Sequence, residues 1–304
     1  MQVVVSGASG LIGSALVPAL RAQGHTVKRL VRRDVQADDE LSWDPTNDVM
    51  SSRSLAGTDA VINLAGAGVG DQRWTEQYKR VIRESRVRGT KTLAAAIARM
   101  PQPPKVFISA SAIGYYGDRG DEELDESAAK GTGFLSDVVA DWEDASHPVT
   151  EVGVRVVNPR TGLVVSSAGG AWGRLIPLFS FGLGGRLGSG KQYWSFISRH
   201  DAVRGLITML ADDRLSGPVN LTAPEAITNQ DATKELASAL HRPALMRVPA
   251  WALQRVLGEF STESLSSSRV VPRSLTNAGF SWDDPTMEQS LTRALRSDKS
   301  ATDR

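Results

Sequence analysis

A chain of 304 residues with 41% hydrophobic side chains can fill one large α/β core, or one core and a smaller lobe. Its net charge of +1 gives no bulk attraction to nucleic acid or a membrane surface, and no apolar run approaches the ~18 residues of a membrane span. The absence of cysteine excludes disulfides, thiolate nucleophiles and cysteine metal sites, and four scattered histidines argue against a histidine-rich metal centre.

Met1 leads directly into the apolar run Gln2–Ser6, which predicts a strand without a basic, apolar leader; the cytoplasm is the expected compartment. A glycine turn follows, then a helix over 11–23 with Leu11, Ala15, Leu16, Ala19 and Leu20 on one side, closed by Gly24. Thr26–Val31 and 60–64 read as strands. A long helix over 75–100 is stopped by Pro101, Pro103 and Pro104 before strand Val106–Ser109. This alternation implies a doubly wound parallel sheet with helices on both faces, the Rossmann type of α/β fold. Beyond it we expect a polar loop over 117–133, a helix over 135–145, a strand over 152–157 and a glycine-rich irregular segment over 169–190. Helices are expected over 201–212, with Asp201 as N-cap, and over 229–240, Ala250–Leu257 and 286–295. The expected division is a dinucleotide-binding domain over 1–165 to which later segments return, a substrate-side lobe over 166–296, and a disordered tail over 297–304.

The turn Gly7-Ala8-Ser9-Gly10-Leu11-Ile12-Gly13 lies between a strand and a helix, the context in which such spacing carries meaning. Gly7 permits the bend, Gly10 lets a pyrophosphate approach the backbone, and Gly13 brings helix and strand together. The new helix then turns its free amides and positive dipole end toward the phosphates. At the end of the second strand, NAD would call for an acidic residue on the ribose 2′-hydroxyl. Here Arg32 and Arg33 stand there, and a guanidinium favours the 2′-phosphate, so NADP(H) is expected over NAD(H).

These residues resemble the extended, epimerase-like branch of the short-chain dehydrogenase/reductase superfamily. More narrowly, the chain resembles its epimerase-family group with a C-terminal domain of unknown function. The likeness rests on Asn63-Leu64-Ala65-Gly66-Ala67-Gly68, on Arg73-Trp74 with Ser85-Arg86, and on Ser109-Ala110-Ser111-Ala112-Ile113-Gly114-Tyr115-Tyr116-Gly117-Asp118. It also rests on Gly182-Leu183-Gly184-Gly185-Arg186-Leu187-Gly188-Ser189-Gly190 and on Val271-Pro272 with Ala278-Gly279-Phe280. It implies pyrophosphate contacts from Gly7, Ser9, Gly10, Leu11, Ile12 and Gly13 and a 2′-phosphate contact from Arg32 or Arg33. Leu64, Ala65 and Gly66 would flank the adenosine half, with Ser109 nearby and Arg86 as a contact to ribose or phosphate or a helix-surface arginine. Arg160, after the strand near the nicotinamide end, would hold an anionic group or make a surface ion pair.

The superfamily's Ser, Tyr and Lys are only partly present. Ser111 matches the serine, but none of the eight lysines has a tyrosine four residues earlier. The region of the missing pair reads Phe134-Leu135-Ser136-Asp137-Val138-Val139, followed by the group's Trp142-Glu143. Two readings follow. In one, the chain is an NADP(H)-dependent oxidoreductase or epimerase-like enzyme on a small molecule, with Ser111 orienting substrate and Tyr115 or Tyr116 supplying the proton. In the other, it binds NADP(H) without turnover as a sensor or regulator. A nucleotide-sugar epimerase comes third, since that chemistry wants retained NAD and a strong tyrosine base. No metal, nucleic acid or membrane partner is expected, and the chain is expected to be a monomer or homodimer.

Overall fold

The computed structural model describes residues 1–302. Seven parallel strands form its centre: β1 Gln2–Ser6, β2 Thr26–Val31, β3 Glu40–Ser42, β4 Ala60–Asn63, β5 Val106–Ser109, β8 Arg155–Thr161 and β13 Gly217–Leu221. Their order is β13-β8-β5-β4-β1-β2-β3, and the short β6, Ser111–Ala112, also pairs with β8. Burial on both faces explains the unbroken apolar runs. Val3 and Val5 pack with Leu16, Leu20 and Leu206 on one side, whereas Val4 packs with Leu93, Ile97 and Phe107 on the other. Helices α1 (Gly13–Ala22) and α5 (Arg199–Ala211) cover the first face; α2 (Glu76–Ala98) and α3 (Phe134–Asp144) cover the second. The chain leaves β1 for β2 on one side and reaches β4 on the other, so the strand order reverses beside the glycine turn. A crevice at that reversal is where α/β sheets take their ligands.

Local signals account for the element ends. After α1, Gly24 adopts φ +81°, and its amide and that of His25 close back on the carbonyls of Arg21 and Leu20. Thr75 caps α2 by accepting from the Tyr78 amide.

The remaining elements are β7 (Glu123–Leu124), β9 (Leu163–Val165), α4 (Gly170–Ser180), β10 (Gly185–Leu187), β11 (Tyr193–Trp194), β12 (Phe196–Ser198) and β14 (Ile227–Thr228). They continue with α6 (Asn229–Ala239), β15 (Met246–Val248), α7 (Ala250–Leu257), α8 (Phe260–Leu265), β16 (Arg269–Val270), α9 (Arg273–Asn277) and α10 (Met287–Thr302). A second core joins α4, α6 and α10 through Trp172, Phe179, Leu236 and Leu291.

Four expectations are corrected. Half of the glycine-rich segment is helix α4, because Trp172, Ile176 and Phe179 fall on one helical face and bury. The strand expected over 152–157 begins at Arg155 and runs to Thr161, preceded by a 3-10 turn over His147–Val152. Ser198, not Asp201, caps α5; Asp201 is fully buried and accepts from the amides of Asp283 and Asp284 and from Arg204. The last helix runs to Thr302, past the end expected at 295; residues 303 and 304 lie outside the described residues.

Candidate functional site

The glycine turn is held by close backbone packing. Gly7 sits at φ +66°, and a Cβ there would lie 2.7 Å from the Leu64 carbonyl carbon. At Gly13 a Cβ would lie 2.2 Å from the Gly7 oxygen. Gly10 differs: a Cβ there would meet only the Gly7 oxygen, at 3.2 Å, so its outer side is open. Helix α1 has no side-chain cap, and the amides of Leu11, Ile12 and Gly13 have no backbone acceptor among the described residues. A helix start with unspent amides and an open approach is an anion cradle.

Beneath it runs a buried chain of polar groups. Ser6 Oγ donates to Asn63 Oδ1 (2.5 Å), Asn63 Nδ2 donates to Thr90 Oγ1 (2.9 Å), and Trp142 Nε1 donates to the same hydroxyl (3.0 Å). Asn63 Oδ1 also accepts from the Ala65 amide at 3.4 Å, which sets the direction of the turn through Leu64, Ala65 and Gly66. Ser109 belongs to this chain, 3.5 Å from Thr90 Oγ1 and fully buried, so it supports the cofactor-side loop from beneath and does not face it. Gly66 packs on Arg86: a Cβ would lie 3.3 Å from the guanidinium carbon. Arg86 rests on the Trp142 ring and donates to the Ile82 carbonyl, with no carboxylate partner among the described residues. Burial pulls its pKa down to about 10.

The two arginines after β2 part company. Arg33 is bound in a fork to Glu40 at 2.6 and 2.9 Å. Arg32 is exposed and has no ion-pair partner among the described residues. Sequence reasoning missed Arg199. Its Nε donates to the Leu11 carbonyl (2.6 Å) and its Nη2 to Ser14 Oγ (2.8 Å), which puts a guanidinium against the glycine turn from 188 positions away. Burial lowers its pKa, and no carboxylate among the described residues offsets the loss.

The candidate chemical residues form a closed network. Arg160 is buried and grips Glu143 through Nε and Nη2, both at 2.8 Å. Ser111 Oγ donates to Glu143 Oε1 at 2.5 Å. Arg160 Nη1 donates to the Tyr116 oxygen (3.0 Å), and Tyr116 donates to Asn220 Oδ1 (2.7 Å). Tyr115 lays its ring on Arg160, with 3.5 Å from guanidinium carbon to ring centroid. Three expectations are corrected by this geometry. Arg160 is neither a surface ion pair nor open to a ligand. Tyr116 is fully buried with its hydroxyl spent, and burial pushes its pKa up to about 12, outside the range of a working proton donor. Ser111 spends its proton on Glu143. Tyr115 lines a cavity of about 690 Å³ between α3 and the β8–β13 edge, with Ala140, Glu143, His147 and Asn158. Glu143 was legible only as half of Trp142-Glu143; its partner lies 17 residues away on another element.

One group among the described residues, His200, Asp201 and Asp283, brings three metal-type donors within 4.8 Å of one another. Its buried Asp201 is already committed to backbone amides and Arg204.

The model for the NAD dependent epimerase/dehydratase family matches residues 3–221, more than half the chain. The chain belongs to that family. A domain of unknown function matches 248–294, the second mark of the expected group. An epimerase family protein of Mycobacterium bovis is 44% identical over 290 residues, 95% of this chain and 96% of its own. The epimerase family protein SDR39U1 of Bos taurus is 33% identical, covering 97% of this chain and all of its own. Human SDR39U1, crystallised with NADPH, superposes with a TM-score of 0.90 at 31% identity, covering 97% of this chain and 99% of that one. The epimerase-family assignment and the Rossmann fold expected from the motifs are therefore established. Among the described residues no helix is long and apolar enough to cross a membrane.

Proposed function

We propose that this epimerase-family protein binds NADP(H) and uses it in an oxidoreductase or epimerase-like reaction on a small molecule. One observation carries the reading, an uncapped helix start with open amides at the glycine turn; Arg32 at the end of β2, with no ion-pair partner among the described residues, supports the cofactor choice. The cradle fits a dinucleotide, since Gly10 leaves room for a pyrophosphate while Gly7 and Gly13 cannot carry side chains. Gly7, Ser9, Gly10, Leu11, Ile12 and Gly13 would hold the pyrophosphate, Leu64, Ala65 and Gly66 the adenosine side, and Arg32 the 2′-phosphate. The NADPH carried by the human relative supports the same choice. When bound, the nicotinamide supplies or takes the hydride. This chain orients it, excludes water and moves the proton.

Arg32→Ala is expected to weaken NADPH roughly 10- to 100-fold and leave NADH unchanged, because one charge-assisted contact is lost. Fluorescence titration with both cofactors reads this, and equal losses for the two would remove Arg32 as the selector. Arg86→Met is expected to weaken both about tenfold, since Arg86 adjoins the half they share. A variant that binds both like the wild type makes Arg86 a packing residue.

A binding protein without turnover is the second reading, favoured by the burial of Tyr116 and the lack of a tyrosine–lysine pair on α3. A nucleotide-sugar epimerase would need a strong tyrosine base, and Tyr116 lacks the exposure for it. NADPH oxidation across a panel of carbonyls and enones, read beside chromatographic detection of epimers formed from sugar nucleotides, separates the three.

A further inference from the structure

Of the expected proton-exchanging groups, Ser111 and Tyr116 are spent in the buried network, and Tyr115 lies flat on Arg160 beside the cavity at the β8–β13 edge. Helix α3 begins with Phe134, and its first turn carries Ser136, whose hydroxyl donates to the Gly114 carbonyl. The residues beside that turn lead to the C-terminal region. Gly117 abuts α3, for a Cβ on it would lie 3.1 Å from Ser136 Oγ. Asp118 comes next, and its carboxylate accepts from the Ser267 amide just past helix α8.

Helix α8 is seated on the same cleft from the other side. Phe260 packs on Trp74 at 5.5 Å, and Trp74 packs on Phe134 at 5.1 Å. Gly70, on the loop that continues from the cofactor-side strand β4, would bring a Cβ to 3.2 Å from Phe260. Glu263 lies one turn after Phe260 and so shares its face of the helix. It is half-buried, and among the described residues its carboxylate has no hydrogen bond and no cation. A half-buried carboxylate beside a ligand crevice, with repelling carboxylates near it and no cation among the described residues, calls for a functional account.

We propose that Glu263 is the proton-exchanging group of this site, supplied by the C-terminal domain in place of the tyrosine that α3 lacks. The inference rests on the cofactor reading above. In the reducing direction the nicotinamide's hydride goes to the substrate's carbonyl carbon, and the carbonyl oxygen takes the Glu263 proton, leaving an alcohol and a carboxylate that water reprotonates. In the oxidising direction the carboxylate accepts the hydroxyl proton. Burial, then repulsion from Glu259 and Asp118, raises the Glu263 pKa, which favours a carboxyl able to donate. The charged groups around it are Glu259 at the N-cap of its helix, held by Lys79 of α2, Asp118 of the loop after β6, and Arg73, which lies against Gly258. With carboxylates at this end of the cleft, the substrate class is an alcohol or carbonyl compound uncharged at its reacting end.

The test is carboxyl-detected NMR of the full chain labelled with 13C-glutamate, the Glu263 signal being assigned by its loss in Glu263→Gln or its shift in Glu263→Asp. In the free protein, Glu263 is expected to titrate above the ordinary glutamate range. With NADP+ bound, its midpoint is expected to fall below that with NADPH, because only the oxidised ring carries positive charge. An ordinary midpoint in the free protein, or identical midpoints with the two cofactor forms, overturns the proposal. Fluorescence titration with NADPH is run beside it. Wild-type protein that binds no NADPH sinks the cofactor reading itself, whereas undiminished binding by Glu263→Gln together with loss of NADPH oxidation supports the proton role.

Discussion

Gly13→Ala is expected to abolish measurable NADPH binding, a loss of at least about 100-fold, and to destabilise the fold by several kcal/mol. The methyl group would sit 2.2 Å from the Gly7 oxygen and 2.9 Å from the Ala8 Cα. Both are backbone atoms with no rotamer to escape into, so either α1 moves off β1 or the turn opens. Both outcomes spoil the alignment of the Leu11, Ile12 and Gly13 amides. Gly10→Ala provides the contrast. Its one near neighbour stands at 3.2 Å, so the fold is expected to hold while the added methyl group obstructs the phosphate. Thermal unfolding and NADPH titration on the pair read the difference. Undisturbed NADPH binding by Gly13→Ala would mean that phosphates do not use this turn.

Arg160→Met is expected to cost about 3–5 kcal/mol, seen as a fall in Tm of about 10 °C. Removal of the guanidinium leaves Glu143 buried without its cation, and leaves the Tyr116 oxygen without a donor. Solvation by the protein is lost while the charge remains. Burial opposes the Arg160 charge, but the bonds to Glu143 and then Tyr116 more than offset it, raising its pKa. Arg160→Met combined with Glu143→Met should recover much of the loss, because no uncompensated charge remains. Ser111→Ala removes one hydrogen bond and is expected to cost only about 1–2 kcal/mol. A single Arg160→Met variant as stable as the wild type would show that the pair is solvated in solution and does not organise this part of the molecule.

The reach of each signal decides how much of this was legible beforehand. Strands β1, β2 and β5 and helix α7 were readable to the residue, because alternation, apolar runs and turn residues act within a dozen positions. The cofactor cradle was readable for the same reason: its three glycines, its strand and its helix are contiguous. The glycine-rich stretch after β9 misled, since glycine content masked the apolar face of α4 that Trp172, Ile176 and Phe179 form.

Sequence by itself settled the parallel α/β sheet, the glycine turn, the family likeness and the missing tyrosine–lysine pair, all of which are properties of neighbours along the chain. Only the tertiary structure decided which charges are spent. It gave Arg33 to Glu40 and left Arg32 without a partner among the described residues, locked Ser111, Glu143, Arg160 and Tyr116 together, and set Arg199 against Leu11. A guanidinium or carboxylate has the same formula whether paired or not. Its availability for chemistry depends on the partner that folding brings to it from a distant part of the chain, and on the water that folding takes away.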